Sequence, residues 1–177
     1  MQYMHQNRGM FLETLINNTI KHNELAHKGL IFKRHLPINV YNFANRRVTG
    51  WLKEKTQTDY YGLYKGYFFD FDAKQSSKIN YSLKNIKQHQ LDHLRKIHEQ
   101  GGIAFILLLI VPKEEFYMIP IKKIDSWLKN QESNTLKYEW IQKSSFKLEL
   151  FYPGVIGIFE ALQEWIDLIT LRRSSGS

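Results

Sequence analysis

A chain of 177 residues, 43% hydrophobic and 14% aromatic, is long enough for one domain with a sizeable core. It has no cysteine, which excludes disulfides and thiolate metal centres and gives no sign of an oxidising compartment. Net charge is +8, and residues 28–57 hold +6 of it, with Lys28, Lys33, Arg34, Arg46, Arg47, Lys53 and Lys55 set against Glu54. That concentration favours a polyanionic partner, nucleic acid ahead of membrane because no amphipathic helix accompanies it; a merely soluble basic surface is the alternative.

The polar N-terminus, Met1 to Arg8, lacks the apolar core of a signal peptide, so a cytoplasmic protein is expected. After Asn7-Arg8-Gly9 the spacing of Leu12, Leu15, Ile16, Thr19 and Ile20 predicts a helix, with Glu13 at the margin of its apolar stripe. From there Glu13 can reach a site at a sheet edge, or simply face solvent. Gly29 breaks the pattern before a short strand, Leu30 to Arg34. Residues 35–57 contain Pro37, few aliphatics, paired arginines and the scattered rings of Tyr41, Phe43 and Trp51, which marks a functional excursion rather than a plain connection. Cations that hold phosphates, interleaved with rings that stack on unpaired bases, make a nucleic-acid arm. The same rings suit packing against a second subunit, and both uses stay open.

The next stretch carries the chemistry. From Tyr67 to Lys74 the residues alternate as in a half-buried strand, with Tyr67, Phe69, Phe71 and Ala73 on one face and Phe68, Asp70, Asp72 and Lys74 on the other. Lys65-Gly66 reads as a tight turn from a strand beginning near Asp59, which brings Asp59 level with Asp72. Carboxylates at that separation repel by a few kcal/mol, so a positive group must sit among them. A divalent cation, Mg²⁺ or Mn²⁺ by its preference for hard oxygen donors, satisfies this with Lys74 as a second positive group. The alternative is a solvated strand whose acids and Lys74 balance one another.

Gln75 to Tyr81 reads as a polar loop, and Ser82 as the N-cap of a helix with Leu83, Ile86, Leu94 and Ile97 on its apolar stripe. Gln90 falls inside that stripe, where a sheet backbone group must satisfy it or it must reach the acidic site. His89 and His93 have the spacing of zinc ligands but lack a third soft ligand, which favours histidines at the solvent edge. Gly101-Gly102 ends the helix, and Ile103 to Val111, stopped by Pro112, is too short to cross a bilayer and suits a central strand buried on both faces. Lys113-Glu114-Glu115 turns into an antiparallel partner, Phe116 to Ile119. Ile121 to Leu128 is a short helix placing Trp127 on the core, residues 129–145 a loop, and Phe146 to Tyr152 a strand. Ile156 to Leu171 forms a last amphipathic helix, and residues 172–177 a disordered tail. No internal repeat or second domain is visible.

The order of elements, with Asp59 on one strand and Asp72-Ala73-Lys74 on the next, resembles the PD-(D/E)xK nuclease core. Four further segments narrow the resemblance: Asn7-Arg8-Gly9, Thr58-Asp59-Tyr60, Tyr64-Lys65-Gly66 leading to Asp70-Phe71-Asp72-Ala73-Lys74, and His89-Gln90 followed by His93. Together they resemble the RecU family of Holliday-junction resolvases, from about Asn7 to Trp165. The resemblance implies a restriction-endonuclease-like α/β fold, a mixed sheet flanked by helices. The chain is then a single nuclease domain over residues 1–177 with residues 35–57 as a protruding basic stalk.

It further implies a homodimer that nicks opposed strands of a four-way DNA junction in recombination and repair, with a RecA-type recombinase as a further candidate partner. By motif match Asp59 and Asp72 bind metal and act in catalysis, Gln90 completes the metal shell, and Lys74 stabilises the transition state. Glu13 and Asp70 are accessory candidates, while Arg8, Lys33, Arg34, Arg46, Arg47, Lys53 and Lys55 are candidates for DNA binding. Three departures stand out. Asp72 replaces the family's usual glutamate, which shifts the expected metal preference toward Mn²⁺. Gln57 stands where the family tends to have a threonine counted among metal-site residues, which weighs against Gln57 as a ligand. Thr58 takes the place of the motif's leading proline, as in this family generally. The competing readings are another structure-specific nuclease of this fold and a catalytically weak or inactive protein that binds junctions or regulates a recombinase.

Overall fold

The computed structural model describes residues 8–53, 57–130 and 133–175. Helix α1 (Arg8–Leu25) leads into β1 (Leu30–Lys33), and the chain then leaves the main sheet for a separate hairpin, β2 (Ile38–Ala44) and β3 (Arg47–Leu52). It returns as β4 (Tyr60–Tyr64) and β5 (Tyr67–Ser76), passes through β6 (Tyr81–Ser82) and a short 3₁₀ turn at Leu83–Asn85, and forms α2 (Gln88–Glu99). Strands β7 (Ile103–Ile110) and β8 (Glu115–Pro120) precede α3 (Ile121–Asn130), β9 (Thr135–Leu136) and α4 (Tyr138–Ser144). Three short strands, β10 (Phe146–Leu148), β11 (Leu150–Phe151) and β12 (Val155–Ile156), lead to the last helix, α5 (Ile158–Ser174).

Six strands form one mixed sheet in the order β1-β4-β5-β7-β8-β10. Only β5 and β7 are parallel, as they must be when α2 carries the chain across between them. Every residue of β7 is buried, as its unbroken apolar run predicts. The alternation of β5 separates two cores. Phe69 and Phe71 face α1 and α5, where Phe71 stacks on Phe105 at 4.9 Å and Phe69 meets Phe159 edge-on. The opposite face of β7, through Ile106 and Leu108, packs on α2, α3 and α4 with Leu94, Ile124, Trp127 and Ile141. Among the described residues no helix is long and apolar enough to cross a membrane.

The hairpin that carries the acids is built for close approach. Lys65 and Gly66 both adopt positive φ, 48° and 82°, the geometry of a two-residue turn that matches strand twist. Gly62 lies opposite Phe69, whose ring occupies the space above it. A Cβ at this position would lie 2.1 Å from Leu30 O and 2.3 Å from the Phe69 ring. Gly62→Ala is therefore expected to cost roughly 3 kcal/mol, readable as a lowered denaturation midpoint at constant m-value.

Several sequence expectations are corrected. Strand β5 continues through Gln75 and Ser76, because its ladder to β7 runs to the pair Ser76↔Ile110 whatever the polarity of the side chains. The helix expected from Ser82 starts at Gln88: the Ser82 side chain makes no capping bond, and Leu83 and Ile86 are buried from a 3₁₀ turn instead. Residues 129–145 are not a loop, since they hold the end of α3, β9 and α4. With Ile141 the one fully buried side chain of a seven-residue helix, α4 leaves no period to read. The strand expected over Phe146 to Tyr152 is two short strands in different sheets. Helix α5 runs to Ser174, beyond the point where a disordered tail was expected, and residues 176–177 lie outside the described part.

Candidate active site

The β4–β5 register pairs Tyr60 with Phe71, which sets Asp59, one residue earlier, beside Asp72 and Ala73. Asp59 Oδ2 accepts a hydrogen bond of 3.2 Å from the Ala73 amide, so the two acids meet at one end of the hairpin as the sequence predicts. Asp72 is wholly buried. Its Oδ1 accepts a 2.6 Å hydrogen bond from Gln90 Nε2. Its Oδ2 is in ion-pair contact with the Lys74 ammonium. Burial first, and the neighbouring charge of Asp59 second, push the Asp72 carboxyl up from its ordinary value to about 7, against the opposing pull of Lys74.

A cavity of about 170 Å³ opens beside Asp59, lined by Glu13, Lys33, Arg34, Tyr60 and Gln75 among others. Glu13 thus reaches the site from the margin of α1, but its carboxylate is paired with Lys33. Burial, with the charges of Glu13 and Asp59 added, holds the Tyr60 phenol protonated far above its usual range.

Gln90 combines the two uses open to it. Its nitrogen serves Asp72, while Oε1 accepts from Lys87 N at 3.1 Å and caps α2. As a metal ligand it would therefore have to turn its amide and give up the cap. Asp70, an accessory candidate, is engaged on both oxygens, by Thr58 and by Arg34 and His93. Arg34, expected on DNA, points inward to Thr58 and to Asp70, whose wholly buried carboxylate needs a positive partner. Gln57 is exposed, and Thr58, one residue on, is the buried member of that loop.

His93 is not at a solvent edge, since Nε2 lies 3.0 Å from Asp70 Oδ2 and the side chain is mostly buried. Among the described residues no three His, Cys, Asp or Glu side chains are grouped to hold a metal, and His93 is instead engaged by Asp70. Thr58 and His93 were missed as partners of Asp70. The signal was there for His93, which is one helical turn from Gln90 and so shares its face. Arg46, Arg47 and Lys53 are exposed on or beside the β2–β3 hairpin. Of Arg8 only its place at the start of α1 is described, and Lys55 lies outside the described residues.

A family model for recombination protein U, RecU, matches residues 7–164. The chain belongs to the RecU family. A RecU of Ureaplasma parvum, called a Holliday junction resolvase, is 33% identical over 159 residues, covering 90% of this chain and 94% of that one. A RecU of Mycoplasmopsis pulmonis with the same description is 36% identical over 163 residues, covering 92% and 98%. Among solved structures, a Holliday junction resolvase, Hjc of Archaeoglobus fulgidus, aligns over 72% of this chain and 93% of that one with a TM-score of 0.45 and 9% identity, too slight a likeness to argue from. The RecU match spans the arm and every residue of the acidic site.

Proposed function

We propose that this RecU-family chain is a metal-dependent endonuclease that resolves four-way DNA junctions by paired nicks. The observation that carries the reading is the meeting of Asp59, Asp72 and Lys74 at one end of the sheet, beside a cavity and at the base of a basic hairpin. The relatives described as Holliday junction resolvases support the substrate.

The residues present fit a hard divalent cation. Asp59 and the Oδ2 of Asp72 offer carboxylate oxygens side by side, and two carboxylates with phosphate oxygens from a substrate suit Mg²⁺ or Mn²⁺. When bound, such an ion supplies Lewis-acid stabilisation of the phosphate and a water of lowered pKa. Gln90 orients the Asp72 carboxylate through Oδ1, while Oδ2, which now meets the Lys74 ammonium, is the oxygen turned away from Gln90. Lys74, one-fifth exposed and lying against Asp72, is placed as a fixed positive charge for the transition-state phosphate.

Each of the two uses left open for the arm has a face of the hairpin that supports it. Among the described residues it pairs only within itself and all its described side chains are exposed, whereas an isolated two-stranded ribbon is marginal in water. By register, Ile38, Val40, Phe43 and Val48 share one face, which suits a second copy of the chain. Asn39, Asn42, Thr49, Trp51 and Arg47 share the other, with Tyr41 stacked on Trp51 at 5.7 Å, which suits bases and phosphates. Arg46 sits at the tip at φ 61°, a position where such turns ordinarily take glycine, in keeping with a guanidinium wanted there. A two-fold dimer matches the near two-fold symmetry of an open junction.

The test is cleavage of a four-way junction and of the matching linear duplex, each in Mg²⁺ and in Mn²⁺. Symmetric nicks in the junction with the duplex intact are expected. Equal cutting of duplex would favour another nuclease of this fold, and tight junction binding without cleavage in either metal a non-catalytic protein.

A further inference from the structure

Asp70 sits two residues before Asp72 on the same face of β5 and is completely buried. It collects donors from three other parts of the chain. Thr58 gives its hydroxyl to Oδ1, Arg34 places Nη2 on Oδ2, and His93 Nε2 lies 3.0 Å from the same Oδ2. Arg34 also donates through Nε to Thr58 Oγ1 at 3.1 Å, and its guanidinium lies over the Tyr61 ring at 4.6 Å. A buried carboxylate held this way resists displacement, because each lost partner leaves a desolvated charge uncompensated.

That stiffness reaches the site from two sides. Gln90 and His93 lie one turn apart on α2, and Asp72 and Asp70 two residues apart on β5, so Gln90 meets Asp72 while His93 meets Asp70. Two such contacts add to the burial of Leu91 and Leu94 in setting the rotation and the height of α2 over the strand. On the other side, the Arg34 amide donates to Asp59 O at 2.8 Å, and Thr58 is the residue before Asp59, so the loop bearing Asp59 is held by backbone and side chain together. Arg34 and Thr58 are also where the chain leaves the sheet for the arm and where it returns.

Resting on the reading of Asp59 and Asp72 as the metal site, with Gln90 orienting Asp72, we infer that Asp70 is its positioning residue, acting through Thr58 and Arg34 on Asp59 and through His93 and helix α2 on Gln90. It touches neither metal nor phosphate. With both oxygens already engaged, it sets the distance between groups that do.

The experiment compares Asp70→Asn, Thr58→Val and His93→Gln with the parent, in the full chain. Mn²⁺ affinity is measured by calorimetry, junction affinity by anisotropy, cleavage under single turnover, and melting temperature without metal. Asp70→Asn is expected to weaken Mn²⁺ binding and slow cleavage by roughly 10- to 100-fold each, the range seen when outer supports of a site are removed, with junction affinity within about twofold. Thr58→Val and His93→Gln should each give part of the effect, and Thr58→Val on top of Asp70→Asn should add nothing. Parent Mn²⁺ affinity and rate in a folded Asp70→Asn protein, or equal loss of junction binding and cleavage, would overturn the inference. Should Asp70→Asn not fold, the isosteric Thr58→Val decides by the same readouts. Asp72→Asn, run alongside, separates the two claims: parent-like cleavage there sinks the metal site itself, whereas a dead Asp72→Asn beside a parent-like Asp70→Asn sinks only the positioning role.

Discussion

Asp72→Asn is expected to abolish junction cleavage, by about 10³-fold or more, while leaving junction affinity within a few-fold of the parent. Asparagine keeps the shape and the hydrogen bond partner at Gln90 but removes the anion that a cation needs, and Asp59 alone is a poor cage for one. DNA affinity is proposed to reside mainly in the cations of the arm, which this change does not touch. Equal loss of cleavage and binding in a folded variant would count against the assignment. The raised pKa of Asp72 adds a dependence on pH. Cleavage at limiting metal should rise as pH passes through about 7 and level off above, since the cation competes with a proton for the carboxylate.

Stability runs the other way. The folded-state pKa, about 7, lies above the ordinary value of 3.8, so the metal-free protein binds the extra proton when folded. It therefore loses stability as pH rises from about 4 to about 7. Asp72→Asn lacks that loss and should be more stable than the metal-free parent at pH 8, by on the order of a few kcal/mol, with the gap narrowing by pH 5. Melting curves at the two pH values without metal check this, and a parent that gains stability toward pH 8 would contradict it.

Replacing Arg46 and Arg47 with alanine is expected to flatten the salt dependence of junction binding. Each phosphate contact contributes a log–log slope of about 0.9, so losing two should lower the slope by roughly 1.8. Over a fourfold rise in salt the parent should then lose roughly tenfold more affinity than the variant. Both side chains are on the exposed hairpin, where a change leaves the core alone. Anisotropy titrations across a salt series give the answer. An unchanged slope would place the DNA surface elsewhere.

Much of this was legible in the residues. Alternation along Tyr67–Lys74 assigned Phe69 and Phe71 to one side of the sheet and Asp70, Asp72 and Lys74 to the other, because a pleated strand sends neighbouring side chains to opposite faces. The turn at Lys65-Gly66 put Asp59 level with Asp72, since turn length sets hairpin register. The run Ile103–Ile110 announced a central strand, and the cations of residues 28–57 announced an excursion that is in fact a free hairpin.

Partnership across the chain was decided only by the tertiary structure. Asp70 and Asp72 look alike in the sequence, but the first is engaged by Thr58, Arg34 and His93 whereas the second meets Gln90 and Lys74 and lies beside Asp59. Arg34 and Arg46 both read as DNA contacts, yet one turns inward to a carboxylate and the other stays at the tip of the arm. Local periodicity encodes which face a residue occupies, since that depends on backbone geometry alone. Which charge meets which depends on how segments tens of residues apart are brought together, and burial then favours the pairings that leave the fewest desolvated charges alone.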